Sequence, residues 1–522
     1  MNKMLKSLLV AALTLSAAQV KADSASNTNR TFLMPRAQGV NAPLAWTTFG
    51  ELVDRDAKDK FGATFEATGF WQQSTNGSEQ GKYFLADNKS TIDLSRAGSA
   101  VAAAAANSGV AAAVLATSTL DLDYIIHNAQ YDGGAAAPAV AADAQNTNTL
   151  SLDPRQEVWG VQLDYHQDLR KLVKGLYLHA NLPVVNVENN PRLTAKGASA
   201  AVATNMRDYF AGIYKVDAAA GANNAQEALK YGKIAGKRSE SGVADIDVVL
   251  GYHFLNKPKY HAGLGVAVTI PTGNKADGAW LFQPIVGNGQ HFGLGGDFCA
   301  GAHVWSSGEQ NLKLKLALKY RYLFENSQKR TLGLKGTGVA NSKLAQYQLL
   351  GKNGVARATA QLIPAANVTT MNVDVTPGSQ LDGVFGLTYN HGGFSFDAGY
   401  NMYFREAESV TRKGALEATT YGVAARDLAV GPGVVAAVAA HNFGNARDFD
   451  GNAVAWLSND NLDTDAASTP SQFTNSIYGG AGYVFRKWDT PVALGLGAKY
   501  EWANKNSALE QWGVWAKVGV GF

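Results

Sequence analysis

Residues 311–326 read NLKLKLALKYRYLFEN. Leu312, Leu314, Leu316, Leu318, Tyr320, Tyr322 and Phe324 alternate with Lys313, Lys315, Ala317, Lys319 and Arg321. A period of two specifies a strand with one apolar and one basic face, because a helix would scatter the charges around its circumference. The run extends well past the ~5–6 residues usual for strands of globular proteins. A strand this long needs an apolar medium on one side and a polar one on the other.

The pattern recurs along the chain. Alternating segments cover 61–71, 159–165, 176–184, 244–254, 262–270, 292–304, 312–324, 381–389, 394–404, 477–485, 492–502 and 512–522, which makes twelve. Links two–three, four–five, six–seven, eight–nine and ten–eleven are short, while the others are longer, apart from eleven–twelve. This alternation predicts an all-β fold, a closed antiparallel transmembrane β-barrel with short periplasmic turns and long outer loops. Closure satisfies every backbone amide inside lipid. The wall has twelve strands, or up to fourteen if parts of the long loops extend it. Outward Trp71, Trp159, Tyr322, Tyr400, Trp502 and Trp512 fall at one end of the strands, and Tyr252, Tyr389 and Tyr483 at the other. Such girdles belong at membrane interfaces.

The compartment agrees. The opening MNKMLKSLLVAALTLSAAQVKADS has a basic start (Lys3, Lys6), an apolar core too short to span a bilayer and a small-x-small site ending at Ala22. Residues 1–22 therefore read as a secretory signal peptide. The net charge of +3 lies wholly in that signal, on Lys3, Lys6 and Lys21. The remaining chain is neutral, which argues against nucleic acid as a partner. One cysteine, Cys299, excludes an internal disulfide and reads as a small apolar strand residue.

Three organisational units follow: the signal, residues 23–57 as a periplasmic tail or a small lumen hatch, and the barrel at 58–522. The Ala-rich stretches 97–117 and 430–440 fall in long outer loops. At this point the chain resembles Gram-negative outer-membrane β-barrel proteins of the porin and solute-channel type. The resemblance rests on the signal and on the terminal WGVWAKVGVGF, whose final Phe522 looks like the insertion signal that such barrels present to their assembly machinery. The segment VTIPTGNKADGAWLFQPIVGNGQHFGLGGDF is distantly similar to channels of the fatty-acid and phenol-pathway group. The resemblance implies an outer-membrane location, with lipids, the insertion machinery and small solutes as partners.

Enzymatic signatures are missing: there is no HExxH, G-x-S-x-G or Walker loop. Asp164 with His166, or Asp297 with His303, could imitate a dyad, but alternate inward residues of one strand read as lumen lining. His253 and His261, facing across one turn, make a poor metal site. No enzyme, cofactor or metal is expected.

Inward positions define the candidate lumen. Strands one to six offer Glu66, Asp164, Asp245, Asp247 and Asp297, with no base. Strands seven to twelve offer Lys313, Lys315, Lys319, Arg321, Arg405, Arg486, Lys499 and Lys517 against Asp382, Asp397 and Glu501. Oppositely charged half-walls predict a transverse field across the pore. The expectation is passive diffusion of small, mainly polar solutes. The alternatives are a non-conducting barrel acting through its outer loops and a channel for hydrophobic solutes. A symmetric turn at Ser306–Gln310 further sets Asp297 opposite Lys319 and His303 opposite Lys313.

Overall fold

The computed structural model describes residues 29–41, 43, 62–95, 120–121, 148–197, 200–217, 225–257, 259–335, 344–352, 361–418, 420–423, 457–485 and 490–522. The signal peptide and its cleavage site, both Ala-rich stretches and Arg486 lie outside them.

Twelve strands form the wall: β1 (Ala63–Ser74), β2 (Arg155–Asp168), β3 (Leu176–Asn190), β4 (Ile246–Lys257), β5 (Tyr260–Ile270), β6 (Gly293–Ser307), β7 (Gln310–Leu323), β8 (Gly378–His391), β9 (Phe394–Arg405), β10 (Gln472–Phe485), β11 (Val492–Ala503) and β12 (Gln511–Gly521). Each pairs antiparallel with its neighbours in chain order, and β12 pairs back onto β1. The fold is therefore the closed antiparallel barrel that the alternation predicts.

Burial is inverted relative to a soluble sheet. Outward Leu264, Val266, Ile477 and Leu496 are more than half exposed, while inward Glu66, Thr68, Gln162, Asp164, Asn401 and Ser476 are buried. Apolar groups on the outside and polar groups within suit a wall bathed in lipid. Aromatic pairs mark both rims. Trp71 packs edge-on to Trp512 at 4.7 Å at the long-loop end, and Tyr483 packs on Phe394 at 4.8 Å at the other.

Besides a shift between Tyr252 and Leu255 in the β4–β5 pair, the register holds two irregularities that bear on the lumen. Asp297 is the cross-strand partner of Lys319 and His303 that of Lys313, as the sequence implies. The turn, however, is only Gly308–Glu309, with Gly308 at φ 58°, and a bulge at Val304 absorbs the extra residue. The second lies in strand four, which is not continuous. A short strand, Arg238–Val243, pairs with the upper part of β3, and β4 continues on the same neighbour with the register moved by one residue. Ala244 and Asp245 form this bulge, and the Ala244 amide donates to the Pro183 carbonyl at 2.8 Å. Beyond Ile270 the β5–β6 connection folds inward instead of lining the strand Arg238–Val243, so that among the described residues this strand pairs with β3 alone.

Long loops build a cap. It contains helices α1 (Gly77–Phe84) and α2 (Ala200–Ala211) and a three-stranded sheet of Asn326–Thr331, Thr370–Thr376 and Ser409–Arg412. One apolar cluster joins Tyr83, Phe84, Ile92, Leu150, Met206, Phe210, Phe282 and Tyr347, with Leu33 among them. Phe32 and Met34 pack with Ala276 and Ile285 in another. Residues 29–41 thus start beneath the cap and run into the barrel.

Candidate functional site

The inward charges meet in pairs. At the β12–β1 seam Lys517 donates to Glu66 at 2.8 Å, and at the β6–β7 seam Arg321 pairs with Asp297. Arg321 also reaches Asp247 on β4 with both Nε and Nη2. Lys499 pairs with Glu501 at 3.2 Å, and Lys315 lies 3.7 Å from Asp397, too far for a hydrogen bond. The acidic and basic half-walls thus join through ion pairs at both seams. Asp164 accepts from Gln162 and Asn181 and lies 3.3 Å from His179. Asp245 accepts from the Asn288 amide through Oδ2, while its buried Oδ1 has no hydrogen-bond partner. Lys313 sits opposite His303 near the short-turn end.

Arg36 lies inside the barrel against β8, β9 and β11. Its Nη2 donates to Asp382 at 2.9 Å and its Nη1 to Glu501 at 3.0 Å. Both nitrogens donate to Asn401 Oδ1 at 3.2 Å, and Nε donates to Val40 O at 2.6 Å. The guanidinium lies over the Tyr403 ring, 4.6 Å from its centre. Burial pulls the Arg36 pKa down, but the Asp382 and Glu501 carboxylates outweigh it and hold the group above its ordinary value. Around it, Gln38 exchanges hydrogen bonds with Ile285 O and the Gly287 amide, and Met34 O accepts from Gln472 at 2.9 Å. Beside the segment a cavity of about 30 Å³, lined by Ala37, Gly39, Val40, Asp245, Lys319, Arg321 and Asp382, has room for a water or two.

Above this level the cap is tied to the wall by a buried polar chain. Glu408 accepts from Arg330 at 2.6 Å and from Arg405, at the top of β9, at 2.7 Å. Burial alone would raise the Glu408 pKa, yet the two guanidinium groups hold it at about 2. Arg330 stacks on Phe32 at 3.7 Å and donates to Gln328, whose amide nitrogen meets His291 Nε2 at 2.9 Å. Burial lowers the His291 pKa to about 4, and its Nδ1 lies 2.8 Å from Phe324 O. At the other end His166, Tyr177 and His253 stack in series, and His261 stands edge-on to His253 at 6.0 Å. Among the described residues no group of three His, Cys, Asp or Glu side chains could hold a metal ion.

No family model and no curated protein matches the chain. Solved structures do. An outer-membrane channel from Pseudomonas putida F1 is 11% identical, with a TM-score of 0.37, over 88% of this chain and 96% of that one. A FadL homologue from Pseudomonas aeruginosa is 7% identical, with a TM-score of 0.25, over 88% of each chain. The CymD monoaromatic hydrocarbon channel is 10% identical, with a TM-score of 0.24, over 72% of this chain and 78% of that one.

A reading of charged inward residues alone misses half of this site. Asn401 and Tyr403 stand at inward positions of an alternating strand and were open to the same parity argument as Arg405. Arg36 carries no such signal, because RTFLMPRAQGVNA has neither strand nor helix period.

Proposed function

We propose that the protein is an outer-membrane channel for passive diffusion of small, mainly polar solutes, closed at rest by its own residues 29–41. The observation that carries this reading is that a separate segment lies inside the lumen. Barrels of about eight strands are filled by their own side chains, and those of about sixteen hold open water. A wall of twelve strands lies between, and here the space is taken by Arg36 and its neighbours rather than by wall residues alone. Below the cap Arg36 is held by non-covalent contacts alone, hydrogen bonds, ion pairs and its stacking on Tyr403, which a competing cation can exchange.

The inward lining carries Asp, Glu, Lys, Arg, Asn, Gln, Ser and Thr beside an apolar cluster that includes Phe70, Val158, Ala317, Val384 and Trp515, and its many charged groups favour hydrated cargo. The reading includes export by the N-terminal signal, cleavage near Ala22 and assembly through the exposed terminal Phe522, and it assigns no catalytic chemistry. Planar-bilayer recording on refolded protein tests it. Stepwise openings are expected, more frequent when residues 29–41 are replaced by a Gly-Ser linker. A folded barrel that stays silent in both forms would instead support a role for the outer loops alone.

One observation favours a second reading. Beside Arg238–Val243 the wall lacks a paired strand, and Val185, Val187, Ala244 and Val286 form an apolar cluster behind it. A hydrophobic solute could leave sideways there. Liposome swelling separates the two: polar solutes swell vesicles only under the first.

A further inference from the structure

We propose that Asp382, Asn401, Tyr403 and Glu501 form a guanidinium-binding site in the lumen, and that guanidinium-bearing solutes compete for it with the chain's own Arg36. The use of such a site in transport rests on the channel reading; its binding chemistry does not.

A guanidinium has five N–H donors in a planar fork. All five are accepted here, and four of the acceptors' bonds come from the wall: two from Asn401 Oδ1 and one each from Asp382 and Glu501. Only the fifth, from Val40 O, belongs to the segment. The Tyr403 ring supplies the flat face on which such a cation stacks. An ammonium, with three donors and no plane, cannot use this arrangement fully.

The wall groups hold their positions without Arg36. Asn401 Nδ2 donates to Gly383 O at 2.8 Å and to Asp382, and Ser476 Oγ donates to Asn401 Oδ1 at 3.3 Å. This fixes the Asn401 amide with its oxygen towards the guanidinium. Thr474 Oγ1 donates to the Glu501 Oε1 that Arg36 uses, at 2.6 Å. Lys499 and Gln511 occupy Oε2, at 3.2 and 2.8 Å. When the segment withdraws, Asp382 and Glu501 each lose the Arg36 cation, Glu501 keeping Lys499, and removing one partner of a buried ion pair is costly. The vacated place has the size, charge and donor pattern of the side chain that left it. Because Arg36 is tethered, it competes at an effective concentration of order millimolar, so a free solute binds the unaltered protein weakly.

The test measures L-arginine binding to the detergent-solubilised barrel by calorimetry, in the unaltered protein, Arg36→Ala and Arg36→Met, after a heat-modifiability gel shows each is folded. L-citrulline, which carries a neutral urea of the same shape, is the control. The expected result is saturable arginine binding to both variants, at least tenfold tighter than to the unaltered protein and at least tenfold tighter than citrulline. Adding Asp382→Asn to Arg36→Ala should abolish it. Equal affinities for arginine and citrulline, or no saturable binding to either folded variant, would overturn the site. Bilayer recording separates this from the channel reading. Arginine binding with no current in any form leaves the site standing and ends the channel. Current through Arg36→Ala that arginine does not block, without calorimetric binding, ends the site and leaves the channel.

Discussion

Asp297 and Lys319 are direct cross-strand partners, yet the Asp297 carboxylate pairs with Arg321, two residues further along β7. Arg321 stands opposite Gly295, where no side chain obstructs it. From there it also reaches Asp247 on β4, so one guanidinium joins β4, β6 and β7 across the lumen. Lys319 is thereby left to line the cavity beside Ala37, Gly39 and Val40. Both basic residues line that cavity, but only Arg321 is tied to two carboxylates across the wall.

The register itself is directly testable. Asp297→Cys and Lys319→Cys, combined with Cys299→Ser, place two thiols on cross-strand partners, whose Cβ atoms lie about 4.5–5.5 Å apart. A short bifunctional reagent should link them in folded protein within minutes. A pair one step out of register, Asp297→Cys with Ala317→Cys, should link far less. Equal linkage of both pairs would contradict the Asp297–Lys319 register.

The clamp should carry stability that its neighbour does not. Arg321→Met leaves Asp247 and Asp297 without their shared partner in a confined space, a loss of about 3 kcal/mol at the lower end for buried pairs. Lys319→Met should change stability by less than about 1 kcal/mol. The measurement is the temperature at which the folded band is lost on a heat-modifiability gel. Similar shifts for the two variants would mean that Arg321 is no clamp.

How far all this was legible from sequence depended on period. Strands such as 312–324 and 512–522 show their inward faces because alternation with lipid on one side leaves no second solution, and Lys315, Lys499 and Lys517 are buried inside as that parity requires. The bulges at Val304 and at Ala244–Asp245 were not legible, since an added residue changes the register without changing the composition. Nor was the pairing of charges: parity places Asp247 and Arg321 on the same lumen, but only the closed geometry brings β4 and β7 within reach. Arg36 was least accessible, because its position depends on residues more than three hundred places away in the chain. The cap resists for the same reason, as Phe32 meets Arg330 through no local pattern.

Acid should loosen the cap in two steps. Burial keeps His291 neutral, with its pKa lowered to about 4 against about 6.5 in an unfolded chain. The unfolded state therefore binds more protons between these values, so the stability this ring supplies is complete above about pH 6.5 and declines as pH falls towards 4. Glu408, held at about 2, adds stability that is complete above about 4.5 and declines towards 2. Amide exchange in Asn326–Thr331 and Thr370–Thr376 should accelerate first between pH 6.5 and 4, then again below 4.5. His291→Gln should remove the first step and keep the second. Exchange that is flat from pH 7 to 4 in the unaltered protein would sink the assignment to His291.

The lumen charges should set ion preference through Lys319, which lines the closed space together with the clamped Arg321. Reversing Lys315, Lys319 and Arg321 together would destroy the Arg321 clamp, so the informative change is Lys319→Glu alone. In an Arg36→Ala background, the replacement exchanges one cation of the cavity lining for an anion beside Asp245, Asp247 and Asp382, while Arg321 stays with Asp247 and Asp297. Low-dielectric walls focus the field of a single lumen charge on a passing ion. The reversal potential under a salt gradient should therefore move towards cation selectivity. Raising the salt from about 0.1 M to 1 M shortens the screening length from about 10 Å to 3 Å, and the shift should shrink accordingly. A charge outside the conducting path would leave the potential unmoved, whereas Lys319→Gln should give about half the shift of Lys319→Glu. If a folded, conducting Lys319→Glu variant keeps the parent selectivity at low salt, solutes do not pass between β7 and the place vacated by residues 29–41.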